Sequence, residues 1–173
     1  ELAGAVTDLL GDLALGSARL AVSVQDTVEL PGAGEAVEVI LSTNPSMAMG
    51  PLSKVASGGE LSRVMLALRL VLSGGPPTMV FDEVDAGIGG EAAVSVGGAL
   101  AALGRERQAI VVTHLPQVAA FADTQVLVHK DVSGDSTVST TRVLTESERV
   151  VELSRMLSGS PESDAAQRHA EEL

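Results

Sequence analysis

Two adjacent acidic residues, Asp82 and Glu83, directly follow the largely apolar run from Thr78 to Phe81. This run predicts a β-strand, and ligands of nucleotide-hydrolysing sheets bind beyond the C-terminal ends of such strands. An aspartate there can hold a Mg²⁺ ion that bridges phosphate oxygens, and a glutamate can orient and deprotonate an attacking water. The two chemical roles need two carboxylates, although a strand that ends in a solvated acidic turn explains so short a pattern equally well.

The sequence Ser57-Gly58-Gly59-Glu60 opens a long helical pattern. The two glycines let backbone N–H groups approach a phosphate closely, the serine adds a hydroxyl and an N-cap, and the N-terminal end of a helix favours anions. The same residues also suit an ordinary capped helix in which Glu60 stabilises the first turn by its charge. For these four residues alone, the ordinary cap is the better explanation.

His114 follows a second apolar run, from Ala109 to Thr113. A histidine at the C-terminal end of a strand can hydrogen-bond a phosphate or an attacking water, but a lone histidine is more often structural. His114 becomes a candidate because its strand is expected to lie parallel to the strand that precedes Asp82. The other two histidines, His129 and His169, have no partners at metal-ligand spacing, and we assign them no function.

The pattern of strands and helices predicts an α/β fold, with a mostly parallel sheet flanked by helices, an N-terminal β-hairpin and antiparallel edge strands. The predicted elements are a helix from Leu2 that ends near Gly16 or shortly after, a hairpin of Arg19–Glu29 and Ala36–Thr43 around the turn Pro31–Gly34, a helix at Gly59–Leu72, a buried strand at Thr78–Phe81, a helix at Gly90–Leu103, a buried strand at Ala109–Thr113, a short helix at Pro116–Phe121, a strand pair at Gln125–Lys130 and Thr137–Leu144, and a helix at Ser147–Leu157.

The composition narrows the function classes. The chain has 173 residues, 45% of them hydrophobic, which suits one domain with a substantial core. The absence of Cys excludes thiolate catalysis and disulfides, and the absence of Trp and Tyr excludes a platform for stacking bases. A net charge of -12 opposes direct contact with DNA phosphates. No apolar run is long enough to span a bilayer, so we expect a cytoplasmic protein without a membrane partner.

The order of these signals resembles the ATP-binding-cassette superfamily of ATPases. Within it, three blocks together look like the C-terminal region of RecN, a family of bacterial DNA repair ATPases related to the structural-maintenance-of-chromosomes (SMC) proteins. The blocks are Lys54 to Arg63, Phe81 to Ile88 and Val112 to Ala119, and with the lead-in Ser42-Thr43-Asn44-Pro45 the resemblance covers roughly Ala36 to Leu157.

The resemblance implies a role for each candidate residue. Ser57, Gly58, Gly59 and Glu60 would form the signature motif and reach the γ-phosphate of an ATP held by an opposing subunit. Met79 to Glu83 would be the Walker B strand, in which Asp82 assists Mg²⁺ and Glu83 is the general base. Val84 to Gly87 would be the D-loop, in which Asp85 couples two sites across a dimer, and His114 would sense the γ-phosphate.

The sequence lacks the P-loop motif G-x-x-x-x-G-K-[ST], whose backbone amides and lysine bind the phosphates of a nucleotide. The resemblance implies that this P-loop lies in an N-terminal segment, beyond a coiled coil. Residues 1–20 would then be the end of the coil's return helix, and residues 21–173 the C-terminal half of an ATPase head. We expect this chain to be inactive alone, and to act in a homodimer that sandwiches ATP and Mg²⁺ between its heads. DNA, and association with the nucleoid, would involve the full-length protein.

Two alternatives have different consequences. The chain could be half of a transporter's nucleotide-binding domain, but the helix and hairpin before Asn44 speak against it, as does Glu60 where transporters usually have glutamine. It could instead be a non-enzymatic dimerisation module, but such a module has no need for Glu83 and His114.

Overall fold

The computed structural model describes residues 1–27, 34–72, 74–133, 136–159 and 164–173. These residues form two compact units, one of residues 1–113 and one of residues 114–173. The predicted α/β class is confirmed. Within the described ranges, no helix is both long enough and apolar enough to cross a membrane.

The first unit contains four α-helices and five strands among its described residues. In chain order these are α1 (Leu2–Leu10), β1 (Arg19–Thr27), β2 (Gly34–Ser42), β3 (Gly50–Pro51), α2 (Leu52–Val55), α3 (Gly58–Val71), β4 (Thr78–Phe81), α4 (Gly90–Gly104) and β5 (Gln108–Val111). The second unit contains α5 (Pro116–Ala119), β6 (Val126–Ser133), β7 (Ser136–Val143), α6 (Glu146–Ser158) and α7 (Asp164–Glu172). The short elements β3 and α2 were not predicted from the sequence.

The N-terminal helical region is shorter and less regular than its leucine spacing predicts. The α-helix ends at Leu10 and continues as a π-helical turn over Gly11–Leu15, within which Ala14 has a left-handed backbone with φ of 59°. Leu13 and Leu15 are nevertheless buried, so the backbone departs from the helix while these side chains stay in the core. Strand β1 then begins at Arg19, inside the segment expected to end a coiled coil.

The predicted hairpin is confirmed. Strands β1 and β2 pair antiparallel from Arg19 opposite Ser42 to Thr27 opposite Gly34, and β3 extends the sheet beside β2. Most of the predicted turn, Pro31–Gly34, lies outside the described residues. The alternation of apolar side chains was therefore sufficient to predict this pairing.

Strands β4 and β5 pair in parallel, whereas the other pairs of described strands are antiparallel. The prediction that both strands are buried was wrong. Met79 and Phe81 are buried, whereas Val80 is 66% exposed and Ile110 is 46% exposed. Because successive side chains of a strand point to opposite faces, one face of this pair lies in the core and the other is open in the described structure.

In the second unit, α6 packs against α5 and α7, and β6 pairs antiparallel with β7. The predicted strand pair and the helix that follows it are confirmed. Leu153 of α6 lies in a small core with Ala119 and Ala170. Helix α7, in which Glu171 and Glu172 are exposed, therefore also has a buried apolar side.

The N-terminal end of α6 predicts a pH-dependent stability. Thr145 and Glu148 form a capping box, and Arg142 also pairs with the Glu148 carboxylate. Hydrogen bonds from the Thr145 backbone and hydroxyl, followed by the bond from Arg142, lower the pKa of Glu148 to about 2. Since this folded-state pKa lies below the unfolded value of 4.5, the stabilisation is present above pH 4.5 and is lost as the pH falls toward 2.

Acid titration followed by circular dichroism tests this expectation. The Glu148→Gln variant should show a smaller loss of stability than the unmodified chain between those two pH values. Equal losses in both proteins would show that Glu148 does not contribute to acid sensitivity.

Candidate functional site

The parallel pairing of β4 and β5 places two candidate carboxylates at one edge of the first unit. Phe81 lies opposite Val111, and the Val112 amide donates to the Phe81 carbonyl at 2.9 Å. Asp82 and Glu83 follow directly, and both side chains are exposed. Two solvent-accessible carboxylates thus follow this strand directly, and their catalytic roles stay a prediction.

Glu83 begins a tight turn in an unusual backbone conformation. Its φ is 55°, in the left-handed region, where a residue with a Cβ costs about 1–2 kcal/mol. The Ala86 amide donates to the Glu83 carbonyl at 3.0 Å, and the Ile88 amide donates to the Asp85 carbonyl at 3.3 Å. Gly87 also has a positive φ, of 73°. Non-glycine residues in this region are concentrated at functional sites, which strengthens the case for Glu83.

The N-terminal end of α3 is closed by a capping box between Ser57 and Glu60. The Ser57 amide and hydroxyl both donate to Glu60 Oε2 at 2.8 Å, and the Glu60 amide donates to Ser57 Oγ at 3.4 Å. The backbone hydrogen bond from Ser57, and then the bond from its hydroxyl, lower the pKa of Glu60. The ordinary capping role of these residues is thus present, and phosphate binding remains a prediction.

Gly58 and Gly59 bring this helix end against the turn that contains Glu83. A methyl group at Gly58 would lie 2.8 Å from Glu83 Oε2. At Gly59 it would lie 2.9 Å from the Ala86 Cβ and 3.0 Å from the Glu83 carbonyl oxygen. We predicted these glycines for close approach to a phosphate. The structure adds a second reason for them, which is close approach to the Glu83 side chain at Gly58 and to the Ala86 side chain and the backbone of the turn at Gly59.

Two residues of α3 that sequence analysis passed over also contact this turn. The Ser62 hydroxyl donates to the Asp82 carbonyl at 2.7 Å. Arg63 Nη1 donates to the Val84 carbonyl at 3.1 Å and to the Ala86 carbonyl at 2.9 Å. Arg63 is only 5% exposed. Arg63 stands directly before the apolar run of the helix, and this position could have indicated that its side chain is buried. Because arginine is rarely buried without a partner, a hydrogen-bond partner could then have been expected.

Asp85 is directed into the chain. Its side chain is 2% exposed, and the Thr113 hydroxyl donates to its carboxylate. The resemblance implied a role for Asp85 between two subunits, and that role stays a prediction. In this structure its carboxylate joins the turn to the residues that follow β5.

His114 is the first residue of the second unit, and its side chain is exposed. The other candidate residues all lie in the first unit, namely Ser57, Gly58, Gly59, Glu60, Asp82, Glu83 and Asp85, whereas His114 belongs to the second unit. His129 Nε2 lies 3.1 Å from Asp131 Oδ1, and both side chains are exposed. In the parts of the chain that are described, no group of three or more His, Asp or Glu side chains could hold a metal ion by itself.

Solved structures with a similar fold agree with the α/β class predicted for this chain. The chain is similar to the Smc head domain with a coiled coil and joint from Pyrococcus yayanosii, with a TM-score of 0.59 and 20% identity over 91% of this chain and 29% of that one. It is also similar to the Pyrococcus furiosus Smc head domain with an extended coiled coil, solved with the C-terminal domain of ScpA, with a TM-score of 0.55 and 17% identity over 87% of this chain and 37% of that one. At these identities the likeness concerns the fold alone.

Sequence comparison gives nearer relatives, although no family model matches the chain. The chain is 50% identical to the DNA repair protein RecN of Streptomyces coelicolor over its whole length, which is 33% of that protein. It is 49% identical to the DNA repair protein RecN of Deinococcus radiodurans over 95% of this chain and 29% of that protein. The chain thus spans about a third of the length of the curated relatives it matches, and it belongs to the RecN family as a C-terminal region.

Proposed function

We propose that this chain forms the C-terminal half of an SMC-like ATPase head in a protein of DNA double-strand break repair and recombination. The observation that carries the proposal is the packing of the α3 start against the turn after β4. This packing holds Ser57, Gly58 and the exposed carboxylates of Asp82 and Glu83 in one region of the first unit. A phosphate-binding helix end beside a Mg²⁺ ligand and a general base is what hydrolysis of a nucleotide requires.

In the proposed reaction, Glu83 accepts a proton from the water that attacks the γ-phosphate of ATP. Its carboxylate is exposed, so a water can reach it, and its left-handed backbone fixes the direction in which the side chain leaves the turn. His114 contacts the γ-phosphate, and Asp85 couples the two sites of a dimer. The amides of Gly58 and Gly59 bind the phosphate of a nucleotide held by a second copy of the head. The Ser57 hydroxyl joins them by turning its single O–H from the Glu60 carboxylate to the phosphate.

Asp82 fits the needs of a Mg²⁺ ion that comes with the nucleotide. Mg²⁺ in such sites is bound by one or two carboxylates, by phosphate oxygens and by water. Asp82 provides one exposed carboxylate, and the bond from Ser62 to its carbonyl holds its backbone in place. When bound, the ion would neutralise charge on the phosphates, and the task of this chain would be to present Asp82 at a fixed position.

The open face of β4 and β5 supports the proposal that this chain is one part of a larger head. Val80, Ile110 and Val112 are 66%, 46% and 56% exposed, respectively. Adjacent exposed aliphatic side chains on a sheet are typical of a surface that packs against further protein. Together with the missing P-loop motif, this face is consistent with a partner segment that carries the P-loop.

The net charge of -12 opposes contact with DNA phosphates, which supports the proposal that other parts of the full-length protein contact DNA. The P-loop segment and a second copy of the head are then the direct partners of this chain. We expect the assembly to act in the cytoplasm and on the nucleoid.

The proposal is tested by measuring ATP hydrolysis by this chain alone, by the P-loop segment of the same protein alone, and by their mixture. Hydrolysis in the mixture, but not in either part, is the expected result, because each part holds an incomplete set of phosphate and water ligands. Activity from this chain alone would contradict it, as would an inactive mixture when the full-length protein is active.

A further inference from the structure

Arg63 is a buried cation that contacts the backbone of the turn containing Glu83. Its Nη1 lies 3.1 Å from the Val84 carbonyl oxygen and 2.9 Å from the Ala86 carbonyl oxygen. These are the carbonyls one residue and three residues after Glu83. Since Val84 is fully buried and Arg63 is 5% exposed, water has little access to these bonds.

The burial of a guanidinium at this place needs an explanation. Burial lowers the pKa of Arg63, and the charges of Glu60 and Asp85 oppose that shift. Glu60 belongs to the cap of α3 and Asp85 belongs to the turn, so carboxylates of both segments that Arg63 joins favour its charged form. Charge-assisted hydrogen bonds to two carbonyls of the turn, shielded from water, favour the arrangement in which both carbonyls face Arg63.

We propose that Arg63 is a positioning residue, which holds the turn after β4 so that Glu83 keeps its left-handed backbone and its carboxylate stays beside the start of α3. The inference rests on the proposed function in one respect, since it takes Glu83 as the general base. It adds that α3 links two parts of the site. Ser57 and Gly58 lie at its first turn, and Arg63 lies little more than one turn further along the same helix.

The effect of losing Arg63 should appear in the chemical step. Without the two hydrogen bonds from Arg63 to the turn, the backbone of Glu83 would relax toward an ordinary region of φ and ψ, because its φ of 55° is unfavourable for a residue with a Cβ. A carboxylate displaced by about 1 Å is expected to slow a reaction by up to about 10²-fold. Binding of the nucleotide would change less, because Arg63 is buried and does not itself reach the ligand.

Arg107 provides a matched control. It is an arginine of the same unit, and its Nη1 also donates to two loop carbonyls, those of Gly75 at 2.8 Å and Pro76 at 3.2 Å. These carbonyls precede β4, whereas those held by Arg63 follow it. A glutamine at position 107 therefore removes the same kind of contact from the opposite end of the strand.

The experiment compares Arg63→Gln, Arg63→Lys and Arg107→Gln in the full-length protein that carries this chain. We expect Arg63→Gln to lower kcat for ATP by at least about tenfold and to leave KM within about twofold. Arg63→Lys should recover part of the loss because it restores a buried cation, and Arg107→Gln should match the unmodified protein. Equal kcat values for Arg63→Gln and Arg107→Gln would overturn the proposal.

Hydrogen exchange separates this inference from the proposed function. The amides of Ala86 and Ile88 close the turn, and they should exchange faster in Arg63→Gln than in Arg107→Gln. If the unmodified protein does not hydrolyse ATP, the proposed function fails, but this exchange difference still decides whether Arg63 holds the turn. If Arg63→Gln does not fold, Arg63→Lys takes its place in both measurements. Unchanged exchange at both amides would overturn the inference.

Discussion

Replacing Glu83 with glutamine should reduce ATP hydrolysis by the full-length protein on the order of 10²–10⁴-fold, the range expected for loss of a general base. Glutamine has nearly the same size and can keep the same backbone, but it cannot accept the proton of the attacking water. ATP binding should be retained, because Glu83 acts on the water and the phosphate contacts lie elsewhere. Steady-state hydrolysis and equilibrium binding of ATP measure the two effects separately.

Glu91→Gln is the matched control for this substitution. Glu91 is also an exposed glutamate of the first unit, in the first turn of α4, and it is not part of the proposed site. Its replacement removes the same charge and should leave hydrolysis unchanged. A Glu83→Gln protein that hydrolyses ATP as fast as the Glu91→Gln protein would refute the assignment of Glu83 as the base.

Replacing Gly59 with alanine should destabilise the first unit by about 1–3 kcal/mol, the usual cost of forcing a methyl group into a packed site. The new Cβ would lie 2.9 Å from the Ala86 Cβ, 3.0 Å from the Glu83 carbonyl oxygen and 3.1 Å from the Ala86 carbonyl oxygen. Two of these three atoms are backbone, so the turn itself must shift. Denaturant unfolding followed by circular dichroism measures the change, since the chain has no Trp or Tyr.

Gly4→Ala is the control for the intrinsic effect of alanine in a helix. Gly4 lies in α1, and a methyl group there would have nothing within 4 Å. This substitution should therefore stabilise the chain by up to about 1 kcal/mol, as expected from helix propensity alone. If both substitutions stabilise the chain, the close contact between α3 and the turn is absent in solution.

The Gly59 prediction also bears on how the glycines of α3 should be interpreted. The resemblance to the ATPase family implied that Gly58 and Gly59 bind a phosphate, yet both glycines also allow α3 to approach the turn, at Glu83 and Ala86. A loss of activity in a glycine variant would thus not by itself identify a phosphate contact. Gly58→Ala is open to the same objection, because its Cβ would meet the carboxylate of Glu83, the proposed general base, whereas the Cβ at position 59 would meet backbone.

Local sequence patterns predicted most of the elements near the site. The helix from Gly58, the strand that ends at Phe81 and the helix from Gly90 were all predicted to within one residue at these ends. Their signals are local, since capping residues, glycines and apolar spacing lie within each segment. The kink of the first helix at Ala14 was missed because the burial of Leu13 and Leu15 depends on distant parts of the chain.

The sequence by itself determined the nature of the candidate site, namely two carboxylates after an apolar strand and a Ser-Gly-Gly helix start, because these depend on residue types and short spacings. Only the tertiary structure decided that Gly59 packs on the turn, that Glu83 has a left-handed backbone, that Asp85 is buried and that Arg63 binds the carbonyls of Val84 and Ala86. The exposure of one face of β4 and β5 was likewise evident only from the tertiary structure. The physical reason is that burial and hydrogen bonding between residues 21 to 28 positions apart depend on how helices and strands pack, which a local pattern does not specify.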